Sequence, residues 1–507
     1  MNRDSFETKK KLPTIALFAL TVFVYLGALY PVLFYPIVAD DLTNPFAQYI
    51  ATSGNLMTTI QYGFNGGWSH HFNFIGTTIG SLVNYVWILS NAHTEIGHIG
   101  FYLILKSLAY LSLSFALSEA IRNGSALFDR SPKSMPNEKL AYFALSSFGI
   151  VAFVQIHALW SNDPVASYPT SGIVSTAIGL AALSLLTRAL SLQSIKHVFL
   201  SLAVMIVAIF YYELNVALVP ATFVLLILHK LYATRTQGVG DLKFYLSSGA
   251  LLVLVPTLVA VAARLMTQED AVNYGGTTVG SLQKFPSTFT ISGLSNLPGS
   301  AWKLSSEVSG VLSFAYRDFL LVLGCLAVLF IVASVSIQQI RLRDKQISGV
   351  ACVTAFLFTY MLFATAIQAL TAKYQDEITR IGKVYNFYIT GLVFSVAVLM
   401  FILFVYAKRS AGVANVVLVG VLTFGIFQAA INLTLFNVAK NGTTQSQVLL
   451  SSIGDQSTDI DRCAAWYNWS AIGWPEYYEV GMGVGLQAFQ ERYFGVPFCS
   501  QGVNFAE

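Results

Sequence analysis

The sequence predicts an all-α polytopic membrane protein of about 11 transmembrane helices, with a cytoplasmic N-terminus and a small outer C-terminal domain. Three observations carry this reading. First, the 507-residue chain is 55% hydrophobic and only 11% charged, where soluble domains carry roughly 25% charge; its mean hydropathy is +0.63. Second, a helix crosses a bilayer with roughly 20 apolar residues, and stretches of that kind fall at 13–38, 99–121, 140–159, 171–191, 197–211, 214–230, 244–265, 318–338, 349–370, 384–407 and 412–435. Third, with the N-terminus inside, Arg3, Lys9–Lys11, Arg122, Arg130, Lys133, Lys139, Arg188, Lys196, Lys230, Arg235, Lys243, Arg341, Arg343, Lys345, Lys408 and Arg409 all fall in inner loops. These are 18 of the 29 basic residues, as the positive-inside rule requires.

The first apolar run is too long for the core of a signal peptide and has no small-residue cleavage site before Asp40-Asp41, so it reads as a retained span. The segment 71–89 is also apolar enough to cross, but crossing would turn Arg122, Arg130, Lys133 and Lys139 outward. The first outer loop, 40–98, is therefore expected to carry amphipathic helices lying on the membrane surface. A second long outer loop, 266–317, is rich in Gly, Ser and Thr; loops of this length in compact proteins tend to be lids or binding loops. The transmembrane domain is drawn as 1–435, and composition turns acidic and Trp-rich over 436–507. Cys463 and Cys499 lie there, outside the spans, and on an oxidising face they form a plausible disulfide. Cys325 and Cys352 fall within spans and read as buried apolar side chains. A net charge of +4 without a basic cluster gives no reason to expect nucleic-acid binding.

Polar residues at the outer ends of spans are the candidates for chemistry. Asp40 and Asp41 follow the first span directly, where a carboxylate is costly unless it has a partner or a task. Trp68, His70 and His71 sit in a Gly-flexed corner; adjacent histidines point apart, so a shared metal is not implied. Asp163 ends the third span and precedes a proline, which suits either a turn or an acceptor hydroxyl. Glu213 occupies the shallow turn between two short spans and should face the protein interior. Arg380 and Lys383 stand in the most charged outer loop; if helical they share a face and suit a phosphate clamp. Arg317, beside Asp318, and Arg264 are weaker candidates of the same kind. The chain has no Gly-x-x-x-x-Gly-Lys loop, Gly-x-Ser-x-Gly elbow or His-Glu-x-x-His helix, so nothing points to a P-loop nucleotide site or a serine nucleophile.

An acid pair after the first helix, a long first outer loop, about a dozen spans and an outer C-terminal domain together resemble the GT-C fold of membrane glycosyltransferases. That resemblance implies a polyprenyl-phosphate sugar donor, a cell-envelope glycan or glycolipid acceptor, and an active site on the extracytoplasmic face of the cell inner or plasma membrane. It gives Asp40, or its neighbour Asp41, the role of general base, and the Arg380/Lys383 loop with Arg317 the donor phosphate. Glu213, Asp163, His70, His71 and Trp68 then belong to the acceptor side. One displacement inverts the anomeric centre. No ligand spacing implies a cofactor, although a divalent cation beside the acids is compatible with the class. The rival reading is a transporter or flippase of a lipid-linked sugar, with the same charged residues as substrate or proton sites.

Overall fold

The computed structural model describes residues 3–36, 39–65, 73–89, 95–128, 137–157, 169–237, 242–267, 278–303, 312–340, 343–381, 388–454, 456–471 and 476–501. Among them the chain is all-α, with a single isolated antiparallel bridge, Val279 to Thr371. Among the described residues eight helices are long and apolar enough to cross a membrane: Gly100–Ser125, Thr170–Leu192, Glu213–Arg235, Leu242–Met266, Tyr316–Gln338, Asp344–Ala369, Tyr388–Arg409 and Ala411–Gly442. Each coincides with an expected span. Ile15–Ala28 and Ile195–Tyr211 are apolar but shorter, and the expected 140–159 segment is a 16-residue helix, Glu138–Phe153. Every residue of that helix from Leu140 to Ala152 is buried, which makes it the centre of the bundle.

Contacts sort the helix ends into two groups. At one end Lys408 pairs with Asp344, the Tyr142 hydroxyl donates to Ser125 Oγ at 3.1 Å, and Ser191 Oγ donates to the Ala126 carbonyl. This end also carries Arg122, Lys139, Arg188 and Arg343. At the opposite end the bundle meets the first long loop and the C-terminal segment.

The described residues of that first loop include three helices, Ala39–Thr52, Leu56–Phe64 and Phe74–Leu89. Asn55 caps the second by accepting from the Met57 and Thr58 amides, satisfying two otherwise orphaned donors. Phe74–Leu89 meets the end of Ile195–Tyr211, where Phe74 lies 4.5 Å from Phe210. It is also tied to Ala39–Thr52 through Gln48, whose Nε2 donates to the Ser81 carbonyl at 2.8 Å.

The C-terminal segment packs against the first loop. Helix Ala411–Gly442 runs through the boundary drawn at 435, and the residues beyond it share one core with the first loop: Phe46, Tyr49, Trp87 and Tyr102 pack with Trp466, Trp469, Leu486 and Phe489. Helix Glu476–Phe494 approaches Ala39–Thr52 so closely that a Cβ on Gly485 would stand 2.2 Å from the Phe46 carbonyl oxygen. Only glycine fits such a backbone approach. The acid-pair helix is thus held from behind by the end of the chain.

Cys463 and Cys499 form the expected disulfide. Beside it, Ser500 donates its amide to Asp459 Oδ1 at 2.9 Å and its hydroxyl to Oδ2, while Arg462 stands 3.6 Å from the same carboxylate. These bonds, the Ser500 hydroxyl first, hold the Asp459 carboxyl below its usual range. A depressed carboxyl stabilises the fold above its unfolded pKa of about 3.9 and ceases to do so as pH falls through the folded value. Hydrogen exchange at 496–501 should therefore be flat from pH 7 to pH 5, after correction for intrinsic rates, and accelerate below about pH 4. Asp459→Asn should remove that acid step; an unchanged step in the variant would assign it to another carboxyl.

Candidate functional site

Three span ends and one short helix line a cavity of about 390 Å³ at the end of the bundle opposite Lys408 and Asp344. Its polar lining is Tyr212, Glu213, Arg264, Gln368, Thr371 and Tyr374. The volume is that of a small-molecule site.

Each wall has a local cause. Ile195–Tyr211 stops because Tyr212 is extended, at φ −153° and ψ 119°, and the chain tightens into a 3-10 turn over Glu213–Ala217. The buried Asn215 pins that turn: its Nδ2 donates to the Ala208 carbonyl at 2.7 Å, satisfying a helix-end acceptor, and its Oδ1 accepts from the Tyr360 hydroxyl. Glu213 is thereby fixed at the rim. Arg264 lies in the last turn of Val255–Thr267, where a cation complements the helix dipole. That helix follows a π turn, Ala250–Leu254, an irregularity found often at functional sites. Gln368 ends Asp344–Ala369, and Tyr374 belongs to the following Ala372–Glu377.

One side of the cavity is apolar and open. Val261 and Leu265 line it and are 51% and 64% exposed, as are Leu254 and Leu258 further down the same helix at 59% and 67%. Positions 254, 258, 261 and 265 fall at helical spacing on one face, so an exposed apolar stripe leads along the span to the cavity mouth. The pocket thus combines an acid, a guanidinium and an apolar, open side.

Residues 278–284 of the second long loop bond to the segment that follows Gln368. Gly280 donates its amide to the Leu370 carbonyl at 2.8 Å and Ala372 donates to Thr278 at 2.9 Å. The buried Gln375 completes the clasp, accepting from the Ser281 amide at 2.8 Å and donating to the Ser281 and Ala369 carbonyls at 2.9 Å each. Lys284 pairs with Asp376 at 2.9 Å. Gln375→Ala would remove the side-chain partner of the Ser281 amide and of the Ser281 and Ala369 carbonyls, at about 1 kcal/mol per lost bond. Hydrogen exchange over 278–284 should rise at least tenfold in that variant; unchanged protection would mean that the backbone bridge alone holds the loop.

The predicted site residues divide accordingly. Glu213 lines the cavity, and Arg264 does too. Asp40 and Asp41 occupy the first turn of Ala39–Thr52, and their side chains lie outside the described residues, as do Trp68, His70, His71, Asp163 and Lys383 altogether. Arg380 is exposed on a bend beyond the end of Ala372–Glu377, so the helical register that would align it with Lys383 is not present at Arg380. Arg317 is exposed in the first turn of Tyr316–Gln339. No group of three or more His, Cys, Asp or Glu is arranged for a metal among the described residues.

Sequence reasoning missed three positions. Asn215 and Gln368 are uncharged and read as ordinary span residues. Lys106 carried a readable signal, a lysine inside an apolar span. It is 2% exposed, its Nζ donates to the Tyr35 carbonyl at 3.3 Å, and the Tyr35 and Tyr102 rings lie 5.9 and 5.8 Å away. Lys106 anchors the chain just ahead of the acid-pair helix.

Among protein-family models and curated proteins, none matches this chain.

Proposed function

We propose that the chain is an integral-membrane glycosyltransferase that moves a sugar from a polyprenyl-phosphate donor to an envelope glycan or glycolipid on the extracytoplasmic face. In this reading the chain crosses eleven times from a cytoplasmic N-terminus. The observation that carries it is the cavity, where Glu213 and Arg264 stand at the head of an apolar stripe exposed along a span. Such a stripe suits a prenyl tail, and the guanidinium suits the phosphate at its end. Arg264 thus joins Arg380, Lys383 and Arg317 as a donor contact. Asp40 is the base, with Asp41 its alternative; Glu213, Asp163, His70, His71 and Trp68 serve the acceptor side.

The step is one displacement. An acceptor oxygen attacks the anomeric carbon, the bond from that carbon to the phosphate oxygen breaks, the hydroxyl proton passes to the Asp40 carboxylate, and polyprenyl phosphate leaves. The departing phosphate gains charge, so a cation beside it stabilises the transition state more than the bound donor. The test is transfer by the purified protein from a panel of short-chain polyprenyl-phosphate sugars to envelope extract. Product that depends on donor and protein supports the enzyme. Donor-dependent flux in proteoliposomes without any product would make the chain a carrier instead.

A further inference from the structure

Lys106 is a cation inside the apolar span Gly100–Ser125 and is 2% exposed. The Tyr35 carbonyl that accepts from its Nζ and the two ring faces beside it solvate an ammonium, but none of them carries a full negative charge. A buried lysine is retained where an anion answers it, and in a span such a residue faces a partner inside the protein. The acids of its own helix are too far away. Glu95 and Glu119 stand 11 and 13 residues from it, about 16 and 20 Å along the axis at roughly 1.5 Å per residue, and Glu119 is paired with Arg122 at 2.6 Å. The acid pair lies closer. Tyr35 precedes Asp40 by five residues, and Tyr102, whose ring is 5.8 Å from the ammonium, shares a core with Phe46, five residues beyond Asp41 on Ala39–Thr52. The ammonium is therefore bracketed by contacts from both sides of Asp40 and Asp41.

We infer that Lys106 is the positioning residue of the acid pair, its buried ammonium being the counter-charge to Asp40 or Asp41. The inference rests on the reading of that pair as the source of the base and adds what holds it in place. The first span and the acid-pair helix are joined by a short connection, and the Tyr35 carbonyl in it is already tied to Nζ. One cation thus fixes both the approach of the chain and the charge at the start of the helix. A general base works only from a set position relative to the proton it takes. A carboxylate at the start of a helix is also favoured by the helix dipole, so the ammonium and the helix end act on the pair in the same sense.

The first measurement is thermal denaturation of the purified full-length protein in detergent, which needs no turnover. It compares wild type, Asp40→Asn, Asp41→Asn, Lys106→Met and the two doubles that join Lys106→Met to either asparagine. Breaking a buried ion pair at one partner costs far more than replacing both partners by neutral groups. One of the asparagine variants should therefore melt several degrees below wild type, and adding Lys106→Met to it should raise the midpoint again, because the stranded ammonium is gone. Asp344→Asn, at the opposite end of the bundle beside Lys408, is the control, and its loss should simply add to that of Lys106→Met. Additive losses in both acid doubles, or recovery of Asp344→Asn by Lys106→Met, would overturn the inference. Where Lys106→Met does not fold, the single asparagine variants decide: wild-type melting of both would mean that neither acid answers a buried cation. In the transfer assay Lys106→Met should lower kcat about tenfold or more and leave the donor's KM within a few-fold, since it acts through the base; a loss carried by KM would make Lys106 a donor contact and overturn the inference. Coupling without transfer from any donor would strike the enzyme reading alone, and transfer without coupling would strike the inference alone.

Discussion

Asn432→Leu should destabilise the protein by about 2–5 kcal/mol, among the largest effects available to one substitution outside the cavity. The central helix ends at Phe153, and the chain continues extended through Val154 to His157, where it has no helical ladder and no strand partner. Asn432, on Ala411–Gly442 and 3% exposed, supplies both halves of a strand's bonding. Its Nδ2 donates to the Val154 carbonyl at 2.9 Å and its Oδ1 accepts from the Ile156 amide at 2.9 Å. Gln428 Nε2 donates to the same oxygen at 3.2 Å. Leucine removes all three bonds and strands a buried carbonyl and a buried amide, a cost that polar groups in a protein interior rarely escape. The neighbouring Gln155 keeps its own four contacts, to Leu297, Gly299, Ser300 and Ala301, so the loss is local to the Asn432 clasp. The midpoint of thermal denaturation in detergent should fall by several degrees. Val416→Leu on the same helix is the control, because Val416 is 70% exposed and should shift by less than about 0.5 kcal/mol. A leucine variant as stable as that control would show that relaxed backbone geometry or water replaces Asn432 without loss.

The helices were legible because their signal is physical excess: a bilayer demands a long apolar run, and each of the eight long helices among the described residues coincides with an anticipated stretch. The boundary drawn at 435 falls inside a helix. Helix Ala411–Gly442 continues past the apolar run into polar residues, since a helix need not stop where the hydropathy does. The Trp-rich tail looked like an independent unit, but its tryptophans complete a core with Phe46 and Trp87, and pairing between segments some 400 residues apart leaves no local pattern. At the site, charge was visible and amide chemistry was not. Glu213 and Arg264 stood out because ionised side chains are rare within apolar stretches. Asn215 and Gln368 matter through which backbone or cavity they meet, and composition does not encode that. Lys106 was readable from its neighbours, yet its role became apparent only with the Tyr35 carbonyl beside it.

Asp40→Asn should lower sugar transfer by about 10²- to 10⁴-fold while leaving the donor's binding within a few-fold of wild type. A general base acts only as the proton moves, so its loss falls on the chemical step rather than on KM. Asparagine keeps the size of the side chain and removes the basic oxygen. Position supports the assignment: Asp40 stands in the first turn of Ala39–Thr52, and that helix is seated against Glu476–Phe494 by the contact of Gly485 with Phe46 and by Arg492, which donates to the Ser53 carbonyl at 2.7 Å. The same helix is joined through Gln48 to Phe74–Leu89, which in turn abuts Tyr211, two residues before Glu213, at Gly76. The acid pair and the cavity therefore share one end of the bundle and a continuous packed path. Asp41→Asn is the internal comparison, because two adjacent carboxylates on a helix differ by about 100° in direction and one base is needed. A collapse in Asp40→Asn with Asp41→Asn near wild type fixes the base at 40; the reverse moves it to 41. Equal activity in wild type and both variants would assign the proton transfer elsewhere, with Glu213 the next acid to replace. Donor binding by thermal stabilisation, run on each variant, separates a lost base from a lost fold.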